Sequence, residues 1–183
     1  NAFGKMAMAG CGSYSKVEGF AFLPVTCFTM ALTTFVSQNL GAKQYDRAKK
    51  GAWFGVICSV VIAELIGFVI YAAAPTFIAA FNSDPEVVHF GVMQARTISL
   101  FYFVLAFSHC VAAVLRGSGH ASIPMLVMLC VWCVFRVSYI TVTVHFIPDI
   151  RVIFWAYPLT WCISSVIFLY LFLRGKWVHG FER

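Results

Sequence analysis

Four side chains able to hold or move charge fall within stretches that are otherwise apolar: Glu18, Glu64, His109 and Arg136. In a helix crossing a bilayer an ionisable residue costs about 2.5 to 3.5 kcal/mol on insertion scales, so each is a candidate for an ion or substrate pathway. Glu64 lies fourteen residues past Lys50 and Arg136 fifteen past Ala121, roughly 21 and 22 Å from the same boundary at the helical rise. Equal depth suggests a buried ion pair between them, because either one alone is an unpaired charge in a low-dielectric interior. The alternative is that each finds water or backbone carbonyls separately. Lys16 and Glu18 are two positions apart and point about 200° away from each other on a helix, so they cannot form one helix-face pair. Glu18 is placed either to line a cavity and bind a proton or cation, or to sit wetted at the interface. His109 has two readings, a proton relay titrating near neutrality or a packing residue with satisfied hydrogen bonds.

Other chemistry finds little support. Cys130 and Cys133 form a CxxC inside an apolar run with no second ligand pair nearby, whereas structural zinc needs four ligands, so they read as small packing residues. No nucleophile triad, HExxH or phosphate-binding glycine loop occurs, so neither an enzyme nor a metal or organic cofactor is expected. Pro24 falls in the interior of an apolar helix, where a lost backbone donor predicts a bend. Gly51 and Gly55 form a GxxxG that permits close helix approach, read as packing within one molecule.

The elements that position these residues follow from composition. Of 183 residues 61% are hydrophobic, 19 are Phe and only 11% are charged, against roughly 25% charged in soluble domains. A soluble enzyme and a disordered chain are both excluded. The net charge of +6 comes from cations spread singly rather than gathered into a stripe, which argues against nucleic acid as a partner. The seven Cys lie mostly within apolar runs and imply no disulfide framework. A spanning helix needs about 20 apolar residues, and five spans are predicted, at about 6–40, 51–81, 95–115, 122–146 and 152–173. Runs such as Val166 to Leu173 do not alternate as barrel strands would. The expected fold is therefore an all-α polytopic helical bundle in membrane lipid.

Loop charge predicts orientation. Lys43, Arg47, Lys49 and Lys50 follow the first span, Arg116 the third, and Arg174, Lys176 and Arg183 the fifth. By the positive-inside rule that side, and with it the C-terminus, is cytoplasmic. Trp155 and Tyr157 at one interface, and Tyr45, Trp53 and Trp177 at the other, suit aromatic belts; Trp132 and Trp161 lie deeper and read as packing residues. The chain opens on Asn1 and reads as a fragment of a longer polypeptide.

The run Ser37-Gln38-Asn39-Leu40-Gly41-Ala42-Lys43, with Arg47 and Ala48, resembles the inner end of the second helix of each lobe in the multidrug and toxic compound extrusion (MATE) family. Phe3-Gly4 with Ala7 and Ala9, then Lys16-Val17-Glu18 and Leu23-Pro24, look like the opening of that helix in the C-terminal lobe. Leu115-Arg116-Gly117-Ser118-Gly119 before Pro124 looks like the turn between the family's tenth and eleventh helices, and Arg136 falls where many members place an arginine. The match covers essentially the whole chain, and its order and spacing make it specific.

The resemblance implies that the spans are helices eight to twelve of a twelve-helix transporter, lacking its N-terminal lobe. It also implies plasma-membrane export of cationic or amphipathic compounds by alternating access, driven by H⁺ or Na⁺. Gln38, Asn39 and Gly41 are then motif residues at an inner helix end, and Glu18, Glu64, Arg136, His109 and Pro24 the expected substrate and cation pathway. Some members carry an acidic residue in the tenth helix. Thr97 to Leu115 has none, which moves a cation site of that kind to the N-terminal lobe. Phe101, Tyr102, Phe103 and Phe107 are expected either to wall a drug site or to pack in the core or against lipid. The rival readings are a flippase of lipid-linked oligosaccharides from the same superfamily, which calls for a more cationic cavity, and a non-transport membrane subunit.

Overall fold

The computed structural model describes residues 4 to 179; Phe3 of the Phe3-Gly4 motif and Arg183 of the basic tail lie outside the described residues. Among the described residues, five helical segments are long and apolar enough to cross a membrane. The first span is α1 (Gly4–Gly41) and the second α2 (Tyr45–Ala79). The third joins α3 (Pro85–Ile98), a 3-10 turn (Ser99–Phe101) and α4 (Tyr102–Gly117). The fourth joins α5 (Ser122–Met128), a π-helical segment (Leu129–Phe135) and α6 (Arg136–Phe146), and the fifth is α7 (Ile150–Leu173).

Side-chain chemistry fixes the helix ends. Asp84 caps α3 by accepting the Glu86 N–H at 2.9 Å, with Pro85 in the first turn, and Asp149 caps α7 through the Arg151 N–H at 2.9 Å; both follow the N-cap rule. At the other end of the bundle the chain leaves α1 and α4 through the same closure. The Gln44 N–H reaches back to the Asn39 carbonyl and Lys43 to Leu40, as His120 reaches Leu115 and Gly119 reaches Arg116. This is a Schellman motif. Its left-handed position is taken by Lys43 (φ 56°) in one case and Gly119 (φ 84°) in the other. Lys43, Lys49, Lys50, Arg116 and Arg174 all cluster here, and we call it the basic end.

Two helices start earlier than the expected spans, while the fourth keeps its expected bounds, Ser122 to Phe146. The second begins at Tyr45 rather than residue 51, and the third at Pro85 rather than 95. Charge misled in both places: Arg47, Lys49 and Lys50 ride the first turns of α2, and Arg96 is accommodated by laying its guanidinium over the Tyr71 ring at 5.7 Å. Snorkelling and cation–π contact let a helix continue through cations that a hydropathy count treats as boundaries.

The third span is the centre of the bundle: 72% of its most apolar window is buried, against 6% for the fourth. Small residues from Cys110 to Ala113 let α1, α2 and α7 close around α4, the usual packing mode of membrane helices. Gly51 and Gly55 face Phe35 and Leu32 of α1, so the GxxxG serves contact within the molecule. The first three spans and the fifth form the body, and the fourth lies against α4 and α7. A hydroxyl seam joins them: Ser108 Oγ lies 2.6 Å from Ser165 Oγ, and the Trp132 indole N–H donates to Ser164 Oγ at 3.2 Å.

Candidate functional site

Four spans line an open cavity of about 340 Å³, each contributing residues at helical spacing. α1 presents Ser15, Glu18, Gly19 and Phe22; the third span, Leu105 and His109; the fourth, Trp132 and Arg136; the fifth, Tyr157 and Trp161. Residues three or four apart share one helix face, so each span turns a single stripe toward the space. The volume lies within the ordinary range for small-molecule sites, and the composition, aromatic walls with a few polar groups, is the usual one for such sites.

Arg136 stands at the junction of the π segment and α6. Its Nε donates to Thr160 Oγ1 at 3.1 Å and its Nη2 to the same oxygen. The Thr160 hydroxyl sends its own proton to the Ala156 and Tyr157 carbonyls, which leaves its lone pairs for the guanidinium. The charge lies over the Tyr157 ring at 4.5 Å and the Trp132 ring at 5.2 Å. Cation–π contact is worth about 0.5–1 kcal/mol at exposed sites and more where water is excluded, so two rings and a hydroxyl together hold this half-buried charge.

Glu18 shares the cavity with Arg136. The Tyr14 hydroxyl lies 3.4 Å from Glu18 Oε1 and 3.0 Å from the Tyr102 hydroxyl, forming a short phenolic chain from the carboxylate into the core. His109 is wedged edge-on to Phe22, with ring centroids 4.8 Å apart, and against Trp132 at 5.2 Å. Its Nε2 is buried and, among the described residues, has no hydrogen-bond partner, as is also true of Trp161 Nε1.

The expected Glu64–Arg136 pair does not form. Glu64 Oε2 accepts the backbone N–H of Phe103 at 3.2 Å instead. The reason is topological: α2 packs on the first and third spans, whereas the fourth lies against α4 and α7, so equal depth did not mean adjacent faces. Glu64 supports the start of α4, where the 3-10 turn interrupts the third span and where a carboxylate also complements the helix dipole. Glu64→Leu should lower the stability of the complete protein by about 1–2 kcal/mol by removing that acceptor, while Glu64→Gln, which still offers an oxygen, should retain most of it. Thermal unfolding in detergent measures this; a Leu variant as stable as the parent would remove the capping role.

The other expected residues fall elsewhere. Pro24 lies within an unbroken α1, outside the cavity lining. Gln38, Asn39 and Gly41 form the basic-end turn, where Asn39 is buried and its Nδ2 donates to the Phe35 carbonyl at 2.7 Å. Tyr102 stands behind Glu18, while Phe103 and Phe107 line a separate apolar recess with Val166 and Leu169. Sequence reasoning did not assign the cavity to Trp132, Tyr157 and Trp161. The signal was present in the four-residue spacings Trp132–Arg136 and Tyr157–Trp161.

Comparison with known proteins agrees with this architecture. The MatE family model matches residues 1–142. The probable multidrug resistance protein NorM of Thermotoga maritima is 27% identical over 95% of this chain, and the probable multidrug resistance protein YoeA of Bacillus subtilis 21% identical over 97%. The chain spans 38% of the length of each of these relatives. A solved outward-facing multidrug resistance MATE transporter of the MOP superfamily superposes with a TM-score of 0.84 at 18% identity, over 91% of this chain and 37% of that one. With five membrane-length helices in this arrangement and a family match over most of its length, the chain belongs to the MatE family.

Proposed function

We propose that the complete protein exports cationic or amphipathic compounds across the plasma membrane by alternating access, driven by inward flow of H⁺ or Na⁺. This chain would supply helices eight to twelve, in the C-terminal lobe, with its basic end and C-terminus in the cytoplasm. The observation that carries the reading is the cavity that Glu18 and Arg136 share. A carboxylate there can be occupied by a proton, by a metal cation or by the cationic group of a substrate, and those occupants compete. Coupling needs only that the ion and the substrate favour different states, since a ligand with equal affinity for both shifts nothing. The flat faces of Phe22, Trp132, Tyr157 and Trp161 supply apolar contact that tolerates varied shapes, and Trp and Tyr rings also attract cations.

A cavity bearing one carboxylate and one guanidinium supports this over flipping of lipid-linked oligosaccharides, for which more cations are expected. Multidrug resistance in the names of two relatives points the same way. The test is efflux of a fluorescent cationic dye by the complete protein reconstituted in vesicles. Export should stop when the imposed H⁺ or Na⁺ gradient is collapsed; export that persists with both gradients collapsed would defeat the antiport reading.

A further inference from the structure

At the end of the bundle opposite the basic end, a second cavity of about 680 Å³ opens between α2, the third span and α7. Two guanidiniums, those of Arg96 and Arg151, line it, with Tyr71, Phe101 and Trp155 among the walls. Arg96 lies over Tyr71, and Phe101 meets Trp155 edge-on at 5.8 Å. Both cations are exposed, and among the described residues neither forms an ion pair with a carboxylate. Asp84 and Asp149 cap helices through their carboxylates, and neither they nor Glu86 is among the residues that line the cavity.

The depth is informative. Arg96 is twenty-one residues from Gly117 and Arg151 twenty-two from Leu173, each roughly 32 Å from the basic end at the helical rise. That is about one hydrocarbon thickness, so both guanidiniums sit at the far water–lipid boundary. Arg151 occupies the first turn of α7, where the helix dipole disfavours a cation, so helix stability does not account for it. Below the Arg96 charge the lining turns apolar, with Leu100 and Phe101.

We propose that this cavity is a binding site for an anionic phospholipid, whose phosphate bridges Arg96 and Arg151 while an acyl chain lies along the apolar wall. Guanidinium matches phosphate geometry with paired hydrogen bonds. Tyr71, beneath the Arg96 guanidinium, and Trp155, one turn inward of Arg151, flank the two charges. The inference rests on membrane insertion and on the geometry of this end, and is independent of which compound the complete protein exports.

The test uses the complete protein purified in detergent and incubated with phosphatidylglycerol, phosphatidylethanolamine or inorganic phosphate, with bound lipid read by native mass spectrometry. The parent should retain phosphatidylglycerol over phosphatidylethanolamine. The Arg96→Gln/Arg151→Gln variant should lose that retention about thirtyfold, as removal of two interfacial cations implies, while Arg96→Lys/Arg151→Lys keeps most of it. Arg151→Gln alone, a change at an exposed first turn, gives a second reading if the double variant folds poorly, and should show a several-fold loss. Equal retention of the two lipids, or retention unchanged by the Gln substitutions, would overturn the proposal. Displacement of phosphatidylglycerol by millimolar inorganic phosphate would reassign the site to a free anion and equally overturn it.

Discussion

Glu18→Gln in the complete protein is expected to cut gradient-driven dye export at least about tenfold, the effect of removing the one carboxylate that can change occupancy in this cavity. Gln keeps the size of the side chain and an oxygen facing the Tyr14 hydroxyl, which lies 3.4 Å from the carboxylate, so folding and yield should be little changed. Binding of a neutral amphipathic dye should survive, because the aromatic walls remain. Glu18→Asp retains the charge on a shorter arm and should fall between the parent and Gln. The measurement is dye flux in proteoliposomes under an imposed H⁺ or Na⁺ gradient, with dye affinity determined separately. Full coupled export by the Gln variant would remove Glu18 from the ion pathway and leave coupling to groups outside this chain.

The second large effect is structural. A Cβ added at Gly117 would lie 2.6 Å from the Thr33 carbonyl oxygen and 3.2 Å from both the Thr33 Cα and the Val36 Cβ. Two of those contacts are backbone, which cannot rotate away as a side-chain tip can. The same place is tied by the Thr33 hydroxyl, which donates to the Ala113 carbonyl at 3.2 Å as well as to Thr29 at 2.8 Å in its own helix. Gly117→Val should therefore force α1 and α4 apart at the basic end and cost about 2–4 kcal/mol, the upper range for overpacking. Gly41→Ala is the matched control, since a Cβ there meets nothing within 4 Å and Ala is the better helix former. Thermal unfolding of both variants in detergent separates them; a Val variant as stable as the Ala variant would show that the contact yields cheaply.

How much of this was legible in the sequence depended on which constraint acted. The number of spans was readable because a bilayer imposes a length on every crossing helix, and five apolar runs met it. Arg96 hid the helical stretch that precedes it, from Pro85 on, because a count of hydropathy has no knowledge of the Tyr71 ring beneath the guanidinium. Burial cost singled out Glu18, His109 and Arg136 one by one, three residues that the structure brings to one cavity. It also suggested the wrong partner for Arg136, since depth along an axis says nothing about which way a residue faces around it. Counting rise alone, Glu18 stands roughly 12 Å farther from the basic end than Arg136, a gap that helix tilt and the long arginine side chain close. The partners that hold Arg136 are neutral, two rings and a threonine hydroxyl, and no charge pattern in the sequence could point to them.

The π-helical turns at Leu129–Phe135 have a further consequence. A π turn closes its hydrogen bonds one residue later than an α turn, so the fourth span carries slack immediately before Arg136. Should that slack pass along the helix, everything on one side of it would swivel by about one residue's step, roughly 100°, with few backbone bonds broken. Trp132 lies within the loosened stretch and Arg136 at its edge, so the guanidinium has a built-in pivot by which to leave Thr160 for another neighbour while the rest of the bundle stays still.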